Sequence, residues 1–184
     1  MPRATPSTRL SVDDWVEAAL ELLAEDGPSG VKIDRLCVRL GVTKGSFYWH
    51  FADLDAFLGA VAERWAQHRD ARRATFAELE QLEPRERLRR MMDALADPGE
   101  WPLDRAVREW ARSDPFVHDR VAASDRWIFQ AIRKAFRELG FDATDADTRA
   151  KTLFYAGVGF VYAGPQGQRG GRRQRERILE ILTG

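Results

Sequence analysis

Leu40-Gly41-Val42-Thr43-Lys44-Gly45-Ser46-Phe47-Tyr48-Trp49-His50-Phe51 is the stretch that decides how this chain is read. Upstream of it, Ile33, Leu36, Cys37 and Leu40 recur at helical spacing and stop at Gly41. A glycine there allows the left-handed backbone that a tight turn between two helices needs. Thr43 is then expected to cap a second short helix, Lys44 to about His50, with Phe47 and Phe51 turned inward and Val42 plugging the angle between the helices. The other face of that helix is left with Thr43, Lys44, Ser46, Tyr48, Trp49 and His50. Such a helix fits the major groove of DNA, where its N-terminal residues meet base edges. Gly45 lets the backbone come close to the duplex. A competing reading makes Tyr48 and Trp49 core residues, but Phe47 and Phe51 already fill the inward spacing.

Working outward, the flanking sequence is helical throughout. Residues 1–8 are rich in Pro, Ser and Thr and are expected to be disordered. Ser11 and Asp14 have the spacing of a capping box, and Val12, Trp15, Val16, Ala19, Leu20 and Leu23 follow as a stripe that Gly27-Pro28 ends. After the quoted stretch, Asp53 opens a long helix, about Leu54 to Leu82, with Phe57, Leu58, Val61, Trp65, Phe76 and Leu79 apolar. Pro84 opens another, which breaks at Pro98-Gly99; Pro102 opens one through Trp110. Asp114-Pro115 starts a helix ending near Leu139-Gly140, Asp142 to Thr144 cap the next to about Tyr162, and a short helix follows the loop 163–171. No stretch alternates with period two for long enough to make a strand, so the fold class is all-α. The expected organisation is a three-helix helix-turn-helix DNA-binding domain over 1–53 and a helical sensor and dimerisation domain over 54–184.

The composition is compatible with this. Apolar residues make up 44% of the chain and charged residues 32%, with net charge zero. The charge is unevenly placed: Arg35, Arg39 and Lys44 fall between Arg35 and Phe51 with no acid among them, and Arg3 and Arg9 precede the first helix. A local basic face binds phosphate even when the whole chain is neutral. One cysteine, Cys37, excludes an internal disulfide and fits a reducing compartment. No signal-peptide core is present, and the longest apolar run, Leu153 to Ala163, is about half the ~20 residues of a membrane span, so a cytoplasmic protein without membrane contact is expected.

The stretch Leu40 to Phe51 resembles the recognition-helix signature of TetR-type (TetR/AcrR-like) transcriptional regulators. Ala18-Ala19-Leu20-Glu21-Leu22-Leu23-Ala24-Glu25-Asp26-Gly27 resembles their first helix, and the likeness extends over about residues 9–60. The resemblance implies a homodimer that binds a near-palindromic operator in double-stranded DNA and answers to a small-molecule effector. Carried over residue by residue, it places Thr43, Lys44, Gly45 and Ser46 at the groove entrance and has Tyr48 and His50 hydrogen-bond phosphates. Trp49 would meet a sugar, a thymine methyl or a base edge. Two positions depart from the pattern. Lys32 stands where the family has a capping Ser or Thr, and supplies phosphate contact by charge instead. Leu54, between Asp53 and Asp55, stands where the family has a Lys, which removes one phosphate contact and lowers the expected non-specific affinity.

The C-terminal half carries the remaining expectations. Val121, Ile128, Ile132, Ala135 and Leu139 form a stripe on the helix from Pro115, widened by Phe129 and Phe136 on one flank and Trp127 on the other. A band so broad calls for two partners. Gly157 and Gly159 cost helix stability, about 1 kcal/mol each relative to Ala, unless a close backbone approach repays it. The expected dimer interface therefore contains Ile128, Ile132, Gly157, Gly159 and Phe160. Trp65, Met91, Met92, Trp110, Phe116 and Trp127 are the expected lining of a pocket for a mostly apolar effector, with ordinary packing as the alternative. Arg169, Arg172, Arg173, Arg175 and Arg177 read as a solvated face, or else as a DNA or partner contact. Cys37 reads as a small buried residue. His68 and His118 are isolated, without ligand-like spacing, so no metal and no cofactor is expected. There is no Gly-rich phosphate loop, nucleophile elbow or HExxH, which disfavours an enzyme. The expected function is a sequence-specific DNA-binding regulator, a repressor released by its ligand. The alternative is a helical small-molecule or protein-binding module of the same fold that has lost specific DNA reading.

Overall fold

The computed structural model describes residues 10–95, 97, 99–163 and 171–184, and for 72–77 the backbone alone. The expected disordered start, the loop 164–170, the break at Pro98, the side chain of Phe76, and Arg3, Arg9 and Arg169 lie outside the described residues. Those residues fold into helices α1 (Val12–Asp26), α2 (Ile33–Leu40), α3 (Lys44–His50), α4 (Leu54–Glu78), α5 (Pro84–Leu95), α6 (Trp101–Trp110), α7 (Pro115–Glu138), α8 (Ala143–Ala163) and α9 (Gly171–Thr183). No strand occurs among them.

Local chemistry sets most of the boundaries. Ser11 and Asp14 form the full capping box of α1, the Ser11 backbone N–H donating to Asp14 Oδ2 at 2.7 Å and Asp14 N–H donating back to Ser11 Oγ at 3.2 Å. Asp53 accepts from the Ala56 N–H, Asp114 from the N–H groups of Phe116 and Val117, and Asp142 from those of Thr144 and Asp145. Gly41 ends α2 in the left-handed region (φ 67°, ψ 33°), as the turn requires. Two details differ from the sequence reading. Thr43 stands at the N-cap of α3 but its hydroxyl makes no cap bond. The long helix α4 tightens into a 3₁₀ turn at Leu79–Gln81 instead of continuing to Leu82.

Two hydrophobic cores result. The first joins α1, α2 and α3 to the first half of α4 (Phe57, Val61, Trp65), to α6 (Ala106, Val107, Trp110) and to the start of α7 (Val117, Val121). It therefore runs across the expected boundary at 53/54. The second joins α5 (Leu88, Met91, Met92), the rest of α7 (Ile128, Ile132, Ala135, Phe136), α8 (Ala146, Ala150, Leu153) and α9 (Leu179, Leu182). α7 and α8 pack as the principal helix pair of this half, and α9 lies against α5.

A charged layer lies where α4, α6 and α7 meet. Arg108 donates to both carboxylate oxygens of Asp125 at 2.7 and 2.8 Å and to Asp104 at 3.1 Å; Arg69 donates to the buried Ser124 hydroxyl at 3.3 Å. Burial works against the Arg108 charge, but hydrogen bonds and charge from Asp125 and Asp104 outweigh it, so its pKa lies above the ordinary value. In the second core, Arg87 pairs with Glu138 at 2.7 Å and donates to the Leu82 carbonyl, which ties the start of α5 to the end of α7.

Candidate nucleic-acid interface

The helix-turn-helix is built as expected. The Val42 N–H donates to the Cys37 carbonyl across the turn, and Val42 packs half-buried against the first core. Phe47 is completely buried, with its ring 5.3–5.4 Å from those of Trp15, Tyr48, Phe51 and Phe57. This aromatic cluster fixes which face of α3 points outward. Tyr48 and Trp49 are 57% and 68% exposed, which excludes their reading as core. Thr43, Lys44 and Gly45 are exposed beside them, Ser46 is half-buried, and His50 is half-buried between the rings of Trp15 and Trp49. A Cβ on Gly45 would meet only Thr43 Oγ1, at 3.7 Å, so nothing in its own subunit demands a glycine there. Lys32 is exposed at the N-cap of α2, makes no cap bond, and has no ion-pair partner among the described residues.

The basic face differs from the one the sequence suggests. Arg35 pairs with Asp26, and Arg39 pairs with both Glu21 and Glu25. These cations lock α2 to α1 and are neutralised there. Lys44 pairs with Asp34 at 2.5 Å. Glu21, Glu25 and Asp26 of α1 lie outside the stretch Arg35 to Phe51, so a count within that stretch sets them apart from the basic face, to which the fold returns them. Asp34 was missed for the same reason, standing just before the stretch. Leu54, the other departure from the family pattern, packs partly buried against the first core. Cys37 is buried, and burial followed by the Asp34 charge pushes its thiol pKa up, which suits a packing role.

The C-terminal site residues are only partly brought together. Trp65 and Trp110 are buried in the first core, Met91 and Met92 in the second, and Trp127 is half-buried beside the second. Phe116 is exposed, with the Arg120 guanidinium 5.0 Å above its ring. The six therefore do not line one cavity. Of them only Met92 borders the apolar cavity between α5, α8 and α9, whose other walls are Leu95, Leu153, Ala156, Gly157, Phe160, Ile178 and Arg175. Ile128 and Ile132 are buried within the subunit, at 6% and 0% exposure, and so are not available to a second subunit. Both fall on the inner side of α7, whose outer side is Arg126, Gln130, Arg133 and Arg137. Gly157 faces Leu95, and Phe160 lines the same cavity. Gly159 is exposed, and a Cβ there would meet nothing within 4 Å. It belongs to an outer stripe of α8, Thr148, Thr152, Tyr155, Gly159 and Tyr162, that keeps heptad spacing and was legible in the sequence but not singled out. Arg175 pairs with Asp93 and Arg177 with Glu180, whereas Arg172 and Arg173 are exposed. No group of three or more metal-ligating side chains occurs among the described residues, and none of their helices is long and apolar enough to cross a membrane.

Comparison with known proteins bears on both halves. Residues 16–61 match the family described as bacterial regulatory proteins, tetR family. Over 56 residues the chain is 43% identical to the class A tetracycline repressor of transposon 1721 from Escherichia coli, covering 30% of this chain and 26% of that one. Over 63 residues it is 40% identical to the class D repressor from Escherichia coli, covering 34% and 29%. The chain thus spans little more than a quarter of the curated relatives it matches. Across nearly its whole length it superposes on a transcriptional regulator of Rhodococcus sp. Rha1, with TM-score 0.75, 21% identity and 95% of each chain covered. A regulator of Saccharomonospora viridis, solved in complex with choline, gives TM-score 0.73 at 26% identity, covering 93% of this chain and 92% of that one. The match to the tetR family of bacterial regulatory proteins thus covers the N-terminal domain, residues 16–61, and over the rest of the chain the likeness is one of all-helical fold.

Proposed function

We propose that the protein is a sequence-specific DNA-binding regulator that represses as a homodimer and is released by a small molecule. The observation that carries this is α3: its inward residues Phe47 and Phe51 are locked in an aromatic cluster, while Thr43, Lys44, Gly45, Tyr48 and Trp49 stand exposed. Such a helix enters the major groove with Lys44 near base edges and Tyr48, His50 and Lys32 near phosphates. Two-fold symmetry then requires a near-palindromic operator whose half-sites lie about one helical turn (~34 Å) or somewhat more apart. The dimer face is the outer stripe of α8, where Tyr155 and Tyr162 are 65% and 54% exposed and Gly159 leaves the backbone bare. Heptad spacing lets such a stripe pack along a second copy.

The effector is a mostly apolar compound with few polar anchors. The cavity between α5, α8 and α9 supports the apolar character, because its walls are apolar apart from Arg175, but at about 20 Å³ it has to widen by movement of these helices before it admits such a compound. A structural neighbour with choline bound supports ligand response as such. α4 links the reading head to the C-terminal half, so a ligand that favours one tilt of α4 changes the spacing of the two α3 helices. Ligand and operator must then weaken each other by the same factor.

The alternative, a binding module that no longer reads DNA, has one observation in its favour: Arg35, Arg39 and Lys44 are each held by a carboxylate. The deciding experiment titrates labelled duplexes from beside the protein's own gene against a scrambled duplex at several salt concentrations. Preference for one duplex, falling with added salt, supports the regulator. Equal, weak binding to all duplexes refutes it and leaves the alternative.

A further inference from the structure

Asp34, in the first turn of α2, holds its carboxylate 2.5 Å from the ammonium of Lys44 at the start of α3. The two side chains are 70% and 61% exposed, so burial does not force them together. An exposed pair of this kind adds little to stability. It sits instead on the face that enters the groove, where a carboxylate repels phosphate. Its hydrogen bond and charge raise the pKa of Lys44, so the ammonium stays protonated.

The chemistry of the major groove gives this pair a use. Guanine presents its O6 and N7 as acceptors there, and the paired cytosine presents its N4 amine as a donor beside them. An ammonium and a carboxylate one hydrogen-bond length apart complement that edge. At an A·T pair, the thymine O4 would face the carboxylate acceptor to acceptor. We propose that Asp34 and Lys44 jointly read one G·C pair in each half-site, Lys44 donating to guanine and Asp34 accepting from the cytosine N4 amine. Asp34 has a second effect in this arrangement: it holds Lys44 away from phosphates and so suppresses binding to unrelated DNA. The proposal rests on α3 being the recognition helix.

The test selects duplexes from a randomised pool with the full-length wild type, Asp34→Ala and Lys44→Ala, each shown to keep native helicity. The wild type should select a symmetric motif with a G·C pair at one position of each half-site. Asp34→Ala should relax that position by about tenfold and leave the others unchanged. On a fixed duplex lacking the motif, it should bind severalfold more tightly, with a salt slope steeper by about one unit as Lys44 becomes free to meet phosphate. Lys44→Ala should relax the same position without steepening the slope. A symmetric wild-type motif that Asp34→Ala selects unchanged overturns this proposal alone. A wild-type pool with no symmetric motif overturns the recognition-helix reading and this proposal with it.

Discussion

Replacing Phe47 with Ala should dismantle the reading head. Its side chain has no exposed surface and touches four aromatic rings, those of Trp15, Tyr48, Phe51 and Phe57. Truncating a buried Phe to Ala costs about 3–5 kcal/mol, depending on how far the site collapses. Here the walls are rigid rings on three helices, so collapse is limited, and each edge-to-face contact adds about 0.5–1.5 kcal/mol beyond area burial. The loss should fall at the upper end, about 4–5 kcal/mol, a large fraction of the ~5–15 kcal/mol that holds an ordinary domain together. Phe47→Leu keeps most of the volume but loses the ring-to-ring contacts, and should cost less than Phe47→Ala, about 1–3 kcal/mol. Urea titration followed by helical circular dichroism measures both variants, and duplex binding by Phe47→Leu shows whether α3 keeps its pose. If Phe47→Ala loses less than about 1.5 kcal/mol with full helicity, the aromatic cluster is not what anchors α3.

Lys32→Ala should weaken binding to all duplexes alike and flatten the salt slope by roughly one unit, because a lone exposed lysine meets phosphate and not bases; a change in sequence preference would contradict this. Tyr155→Glu and Gly159→Arg each place charge on the outer stripe of α8 and should convert a dimer to monomer in sedimentation experiments; an unchanged dimer from both, still folded, would remove that face as the interface. Stability should be flat near neutrality and fall in acid. Asp14, through its bonds to Ser11, and Glu86, through those to Arg89 and Arg90, have pKa values lowered from 3.8 and 4.5. Their contribution is therefore complete above those ordinary values and is lost as pH falls through the lowered folded ones. Asp14→Asn should lower the melting temperature at neutral pH and shrink the acid-induced loss; an identical acid limb would refute the assignment.

What the sequence discloses here is what depends on neighbours in the chain. Ser11, Asp53, Asp114 and Asp142 cap their helices within three residues of themselves, and Gly41 turns the chain where it stands. The exposure of Tyr48 and Trp49 follows from helical spacing once Phe47 and Phe51 are assigned inward. Readings that depended on distant partners fared worse. The wide apolar band of α7 was divided between its own core and a second subunit. In the fold, Ile128 and Ile132 both go to the core, and the width is used by contacts to α5 on one side and α8 on the other. The Trp and Met residues were grouped by composition, yet composition does not say that Trp65 and Met91 belong to different cores. Arg39 counted toward a local basic face because its carboxylate partners, Glu21 and Glu25, sit on another helix.

The first core also sets how the chain can be cut. α1 lays its buried face, Trp15 to Leu23, partly on α6, through Ala106, Val107 and Trp110, and partly on α4. A fragment ending at residue 61, where the family match ends, would lack Trp65, α6 and Val117 and would leave that face wet. Such a piece would aggregate or fold loosely, so a graft of this reading head onto another chain must carry α6 with it. On the ribosome, α1 cannot finish packing until residues through Trp110, the end of α6, have left the exit tunnel. Until then its largest apolar surface is open to chaperones, and it is the segment a nascent-chain protease would meet first.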